Sequence, residues 1–200
     1  MIDNYDDLTL GRHLEIDGIL HTEAEEIDKQ VAIIAILCDT TEDAILALPL
    51  ADYAARAGKA AFLAQPCPPA DVTDKPLQLA GMTLIPQADF TKIVTAQYVD
   101  FQTLVRDFPA TLPQILAIFL VPEGHAYNEG YDIAEVQEAV RQMPLALALG
   151  YASFFFRCLV DSIVDSLASL TAHARSKAQA QKMMGEMQAL LQEIGGGSPA

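Results

Sequence analysis

The chain has 200 residues, 52% of them hydrophobic, and a formal net charge of −15. That length suits one domain, or a core domain with a small appendage, and the hydrophobic content excludes a disordered chain. Residues 1–52 hold 13 of the 27 acids against only Arg12 and Lys29, a local negative field that repels nucleic acid and anionic membranes and favours a basic protein partner, unless it is simply a solvated face.

The first residues, MIDNYDDLTLGRHLEIDG, carry acids where a signal peptide needs bases, so secretion by that route is not expected. From Thr22, the text TEAEEIDKQVAIIAIL predicts an amphipathic helix with Thr22 and Glu25 at capping-box spacing and Ile27, Val31, Ile34 and Ile36/Leu37 at helical period. TTEDAILALPLADYAARAGKAAFLA predicts two shorter helices joined at Pro49. Thr41 caps the first, and Tyr53, Ala57, Ala60 and Phe62/Leu63 form the apolar stripe of the second. PCPPADVTDKP reads as the clearest linker, and LQLAGMTLIP as a small β-hairpin turning at Ala80-Gly81, near residues 76–86.

A helix entered through Thr95 follows, with Tyr98, Phe101, Leu104 and Val105 on one face. TLPQILAIFLVP then predicts a short apolar helix stopped by Pro122. Asp132 with Glu135 caps the helix IAEVQEAVRQM, after a turn-rich loop, PEGHAYNEGYD. From Leu145 to about Thr171 runs the longest helix, packing through Leu149, Phe155/Phe156, Leu159, Ile163 and Leu167, with Gly150 and Ser153 admitting a neighbouring helix. Its most apolar part, Met143 to Phe156, ends at Arg157, short of the roughly 20 residues a bilayer span requires, and reads as a core helix. The end of the chain predicts a last helix with an apolar stripe at Met183, Met187, Leu190 and Ile194, before a flexible GGGSPA tail. The expected fold is therefore mainly α: a helical bundle with a small β-hairpin insertion and a long C-terminal helix. Residues 1–171 would form the core domain and 172–200 a detachable C-terminal helix and tail.

Residues able to carry chemistry are few. His13, His21, His125 and His173 lie in four segments without metal-binding spacing, and no nucleophile elbow, phosphate loop or dinucleotide fingerprint occurs. Cys38, Cys67 and Cys158 are odd in number and far apart, which argues against a disulfide framework or zinc module. The acids from Glu23 to Asp28 fit the first turn of a helix better than a calcium loop, which needs glycine at its bend. The turn-rich loop holds His125, Tyr127, Asn128 and Asp132 close together, and an active site there would need His125, Tyr127 and Asp132 to converge in a closed pocket. Arg157, Asp161 and Asp165 fall on one stripe of the long helix, where Arg157 and Asp161 are spaced to pair. No enzyme activity, cofactor or metal is expected. Partner binding is expected at Met183, Met184, Met187, Leu190 and Leu191 of the last helix, and at Arg157 and Asp161.

Four stretches, LGRHLEIDGI (10–19), VAIIAILCDTTEDAILALPLADY (31–53), VTAQYVDFQTL (94–104) and LAIFLVPEGHAYNEGYDIAEVQEAVRQMPLALALGYASFFF (116–156), cover about two fifths of the chain. Together they resemble the small acidic tail assembly chaperones of tailed bacteriophages, or a closely allied phage morphogenesis protein. The resemblance implies a non-enzymatic protein of the host bacterial cytoplasm that binds the tape measure protein or tail tube subunits during morphogenesis. It implies no nucleic-acid or membrane partner, is compatible with a homo-oligomer, and assigns no contact residue by position. The alternatives are a structural component retained in the virion as connector or cargo, and an acidic nucleic-acid mimic that inhibits a DNA-binding protein.

Overall fold

The computed structural model describes residues 1–169 together with Lys182 and Gly185, and within the last helix side chains through Ser162. The fold is mainly α, with one small three-stranded antiparallel sheet. The first helix, α1 (Leu10–Leu20), has no counterpart in the sequence reading. It starts where the Thr9 hydroxyl accepts from the Arg12 N–H at 3.4 Å, and it buries Leu10 and Ile16. A Cβ at Gly11 would come within 3.1 Å of the Arg141 carbonyl oxygen, so glycine sets how closely this helix approaches α7 (Ile133–Arg141). On either side of Thr9 and Pro144 the chain pairs like a strand: Leu10 N–H donates to the Met143 carbonyl and Leu145 N–H to that of Leu8.

Helix α2 (Glu26–Cys38) begins later than the expected capping box. The Thr22 hydroxyl donates to the Ile19 carbonyl at 2.7 Å, closing the end of α1, and the N-cap falls on Glu25 with no side-chain bond. An orphan carbonyl at a helix end outcompeted the next helix for that hydroxyl. Two apolar faces explain the run VAIIAIL: Ile33 and Leu37 join the main core, whereas Val31, Ile34 and Ala35 form a satellite cluster with Ile45, covered by Leu48, Tyr53 and Ala57. Helices α3 (Glu42–Leu46) and α4 (Leu50–Ala60) complete that satellite, with the Thr41 hydroxyl accepting from the Ala44 N–H as expected.

The segment read as a linker is tied down. Cys67 is buried, Ala70 N–H donates to the Ala146 carbonyl at 2.8 Å, and the Tyr5 hydroxyl donates to the Gln65 carbonyl. Gly150 faces this loop: a Cβ there would collide with the Ala70 carbonyl oxygen and lie 2.9 Å from Val72 Cγ1. Gly150 therefore admits a loop backbone, not the neighbouring helix expected.

The hairpin forms from β1 (Leu77–Leu79) and β2 (Met82–Pro86) across Ala80 and Gly81, both at positive φ as a tight two-residue turn demands. A third strand, β3 (Leu120–Pro122), pairs antiparallel with β2, Ile85 opposite Val121. The apolar helix α6 (Leu112–Phe119) thus ends at Phe119, before the expected stop at Pro122, because a continuous apolar run suits a buried strand as well as a helix. Helix α5 (Thr95–Leu104) packs on α6 through Phe101 and through Gln97, a buried polar side chain. Gln97 Oε1 accepts from Val94 N–H and its Nε2 donates to the Ile118 carbonyl, both at 3.0 Å, so a helix start and a helix end share one amide. Tyr98, expected on the packed face of α5, is 43% exposed.

Helix α7 is capped by Asp132, whose Oδ1 accepts from the Ala134 N–H at 2.9 Å. The longest helix, α8 (Leu145–Ser169), buries Leu145, Ala148, Leu149, Tyr151, Ala152, Phe155, Phe156, Leu159 and Val160. By length and composition its stretch Leu145–Ser162 is long and apolar enough to cross a membrane, a length the shorter window from Met143 to Phe156 did not reveal. Of that stretch, 56% is buried inside the protein, so contacts with the other elements account for much of its apolarity. Phe119 lies at the centre of the core, with ring centroids of Phe90, Phe155 and Phe101 at 5.0, 5.2 and 5.6 Å. The expected contacts of Ile163 and Leu167 lie outside the described side chains, and the expected last helix, apart from Lys182 and Gly185, lies outside the described residues.

Candidate functional site

The turn-rich loop between β3 and α7 was the sequence's best place for an active site, and the structure gives Tyr127, His125 and Asp132 separate local partners. The Tyr127 hydroxyl donates to Asp100 Oδ2 at 2.7 Å, tying the loop to α5. Burial, followed by that carboxylate, pushes the Tyr127 phenol above its ordinary range, so it stays protonated. The exposed His125 rests edge-on against Tyr131, with Nδ1 3.2 Å from the Glu129 carbonyl oxygen. Gly130, at φ +77°, is where a Cβ would come within 2.8 Å of that nitrogen. Asn128 occupies the left-handed region at φ 62°, and its N–H donates to the Tyr131 hydroxyl. Asp132 is committed to the α7 cap. His125, Tyr127 and Asp132 thus face three different partners, and the network shapes a turn.

Arg157 and Asp161 are both exposed on α8, and no ion pair joins them among the described residues, so the expected ladder does not close there. Met183, Met184, Met187, Leu190 and Leu191 lie outside the described residues. The three cysteines are free. Burial, then the Asp6 carboxylate, pushes the Cys67 thiol up to about 11, away from nucleophilic reactivity. Among the described residues no group of three or more His, Cys, Asp or Glu could hold a metal ion. Glu26 and Asp28 do occupy the first turn of α2, the position favoured by the helix dipole.

His13 sits in surroundings that perturb its titration. Its Nδ1 is buried on α1 without a hydrogen-bond partner, and burial holds the imidazole below its ordinary 6.5, opposed by Asp17. A depressed imidazole pKa means that the unfolded chain binds the proton more readily than the folded one. Stability is therefore full above about 6.5 and falls as pH drops through 6.5 toward the folded value. Thermal unfolding followed by circular dichroism should show a lower midpoint at pH 5.5 than at pH 7.5, and His13→Gln should remove much of the difference. An unchanged difference in the variant would place the pH dependence elsewhere.

What the sequence reading missed is the outer face of α4. Tyr53, Ala57 and Ala60 turn inward as expected, while Leu50, Ala51, Ala54, Ala55 and Gly58 are exposed. Leu50 is 81% exposed and Leu46 of α3 67%, the two highest values among the large hydrophobic side chains described, and Ile27 of α2 is 52% exposed. A surface helix ordinarily turns a charged face to water. The signal was present in YAARAGKAA, where small residues recur every three or four positions on the side opposite Tyr53. Comparison with known proteins found no family model, no curated protein and no solved structure that matches this chain.

Proposed function

We propose that the protein is a non-enzymatic assembly factor of a tailed bacteriophage, binding tape measure or tail tube subunits in the host cytoplasm while the tail is built. The observation that carries the reading is how the surface divides. Tyr127 and Asp132, in the loop that offered the best place for chemistry, are engaged in a tie to α5 and a helix cap, while large apolar side chains on α2, α3 and α4 face water within the most acidic part of the chain. Such a surface suits reversible contact with long amphipathic helices, which a tape measure protein supplies in abundance and which need cover before assembly. The four stretches that resemble tail assembly chaperones support the same reading. The methionine-rich segment Met183, Met184, Met187, Leu190 and Leu191 is a second proposed contact, adaptable because methionine side chains are flexible and polarizable. Arg157 and Asp161 complete the proposed set.

The test is affinity purification of the tagged full chain from infected cells, with mass spectrometry of what accompanies it and of finished particles. Tape measure or tube protein should co-purify, and the chain should be absent from virions. Stoichiometric presence in virions would instead make it a retained structural component, and co-purification of a DNA-binding enzyme would favour the nucleic-acid mimic.

A further inference from the structure

We propose that the outer faces of α3 and α4 form a docking surface for a basic amphipathic helix of a partner protein. The inference deepens the reading above and depends on it only for the identity of the partner. The chemistry is set by three features. First, Leu46 and Leu50 project from the α3–α4 corner at 67% and 81% exposure, too far out for the satellite cluster to use them. Second, Ala51, Ala54, Ala55 and Gly58 give α4 a nearly smooth outer surface, and a Cβ built at Gly58 meets nothing within 4 Å. Small side chains let a second helix axis approach to the near end of the usual range, about 8 Å.

Third, the charge around this face is predominantly negative. The Tyr53 hydroxyl donates to Gln30 Oε1 at 3.2 Å and Arg56 Nη1 to Cys38 Sγ at 3.1 Å, so α4 runs beside α2, start to start. The acidic first turn of α2 thereby lies near that of α4. From Glu23 to Ala60 there are eight acids and three bases. Lys29 pairs with Glu26 and Lys59 with Asp3, while Arg56 donates to the Cys38 sulfur and keeps its charge. On α3, Glu42 and Asp43 stand four and three residues before Leu46, on the same side of the helix. A second copy would bring the same acids against these, which like-charge repulsion opposes. A helix with an apolar stripe flanked by Lys or Arg matches both the apolar centre and the acidic margin.

The probe is a synthetic helical peptide of about 18 residues, five turns, with leucine and alanine on one face and lysine on the other. Its control is a scrambled peptide of the same composition. With the isotope-labelled full chain, the amphipathic peptide should shift amide resonances chiefly in residues 42–58. The scrambled peptide should bind at least about tenfold more weakly, the loss of an apolar anchor. The Leu46→Ser/Leu50→Ser variant, altered only at exposed positions, should keep its circular dichroism spectrum and also lose about tenfold or more in affinity. Glu42→Gln/Asp43→Asn should weaken binding mainly at low salt.

Equal binding of the scrambled peptide, equal binding by the double serine variant, or shifts centred on other residues would each overturn the proposal. So would a dimer in sedimentation that the serine substitutions dissolve, which would assign the face to a second copy. Failure here with tail protein still co-purifying removes this surface and leaves the assembly reading. Peptide binding at this face without tail protein co-purifying does the reverse.

Discussion

Replacing Phe119 with alanine should destabilise the fold by about 3–5 kcal/mol, the range for removing a fully buried aromatic ring. For a chain of this size that corresponds to a fall of roughly 6–20 °C in the unfolding midpoint. Phe119 is 1% exposed and packs on Phe90, Phe101 and Phe155, so its ring joins the loop after β2 to helices α5 and α8. It is also the last residue of α6, and its carbonyl accepts from the Gln87 N–H at 2.8 Å, which holds the sheet against the core. A cavity there loosens helix and strand together. Phe154→Ala, at a half-buried position whose ring meets only Phe155 among the ring contacts of the described residues, should cost clearly less. Chemical denaturation of both variants measures the difference, and a Phe119→Ala cost under about 1 kcal/mol, that of a surface position, would mean the centre of the core lies elsewhere.

Gly150→Ala tests a different link, the seating of the 65–76 loop on α8. In an open helix, alanine stabilises relative to glycine by about 0.8–1.0 kcal/mol. At Gly150 the added methyl would strike the Ala70 carbonyl oxygen, a backbone atom fixed by the Ala70–Ala146 hydrogen bond, and would crowd Val72. Overpacking of this kind costs about 1–3 kcal/mol or more, enough to reverse the sign. Gly150→Ala should therefore be destabilising, while Gly58→Ala, in open space on α4, should be neutral or stabilising. Thermal unfolding of the pair reads this out. Stabilisation by both substitutions would show that the loop does not sit on Gly150.

These two positions also mark where the sequence was and was not legible. Local signals translated well wherever one residue's chemistry decides the outcome: Thr41 and Asp132 cap helices, and Ala80-Gly81 turns the hairpin. They failed where a distant partner decides. Thr22 and Glu25 have capping-box spacing, yet the hydroxyl serves the helix before it. β3 exists because β2 offers an edge to residues 120–122, and no pattern within LAIFLVP announces that pairing. Helix α1 carries glycines at positions 11 and 18 that blur its period, and Gly11 is there for Arg141, far along the chain. The proline-rich segment reads as a linker by composition alone, since only the folded state shows Cys67 and Ala70 held against the core.

For the candidate site the limits were similar. Residue types in the loop from Glu123 to Asp132 suggested chemistry, but spacing does not reveal that Tyr127 is paired with Asp100, 27 residues earlier. On α4 the inward stripe was legible from Tyr53, Ala57 and Ala60. The complementary face went unread because alanine there is equally a good helix former, and exposure becomes meaningful only once α2 and α3 are seen to leave it uncovered.

The role proposed for this chain is to hold phage tail subunits before assembly. The most direct measurement is the affinity purification from infected cells, compared with the protein content of finished particles. Tape measure or tube protein should be the main companion of the tagged chain, and purified virions should contain none of it. Recovery of the chain alone from cells actively assembling tails, or its presence at subunit stoichiometry in virions, would contradict that role.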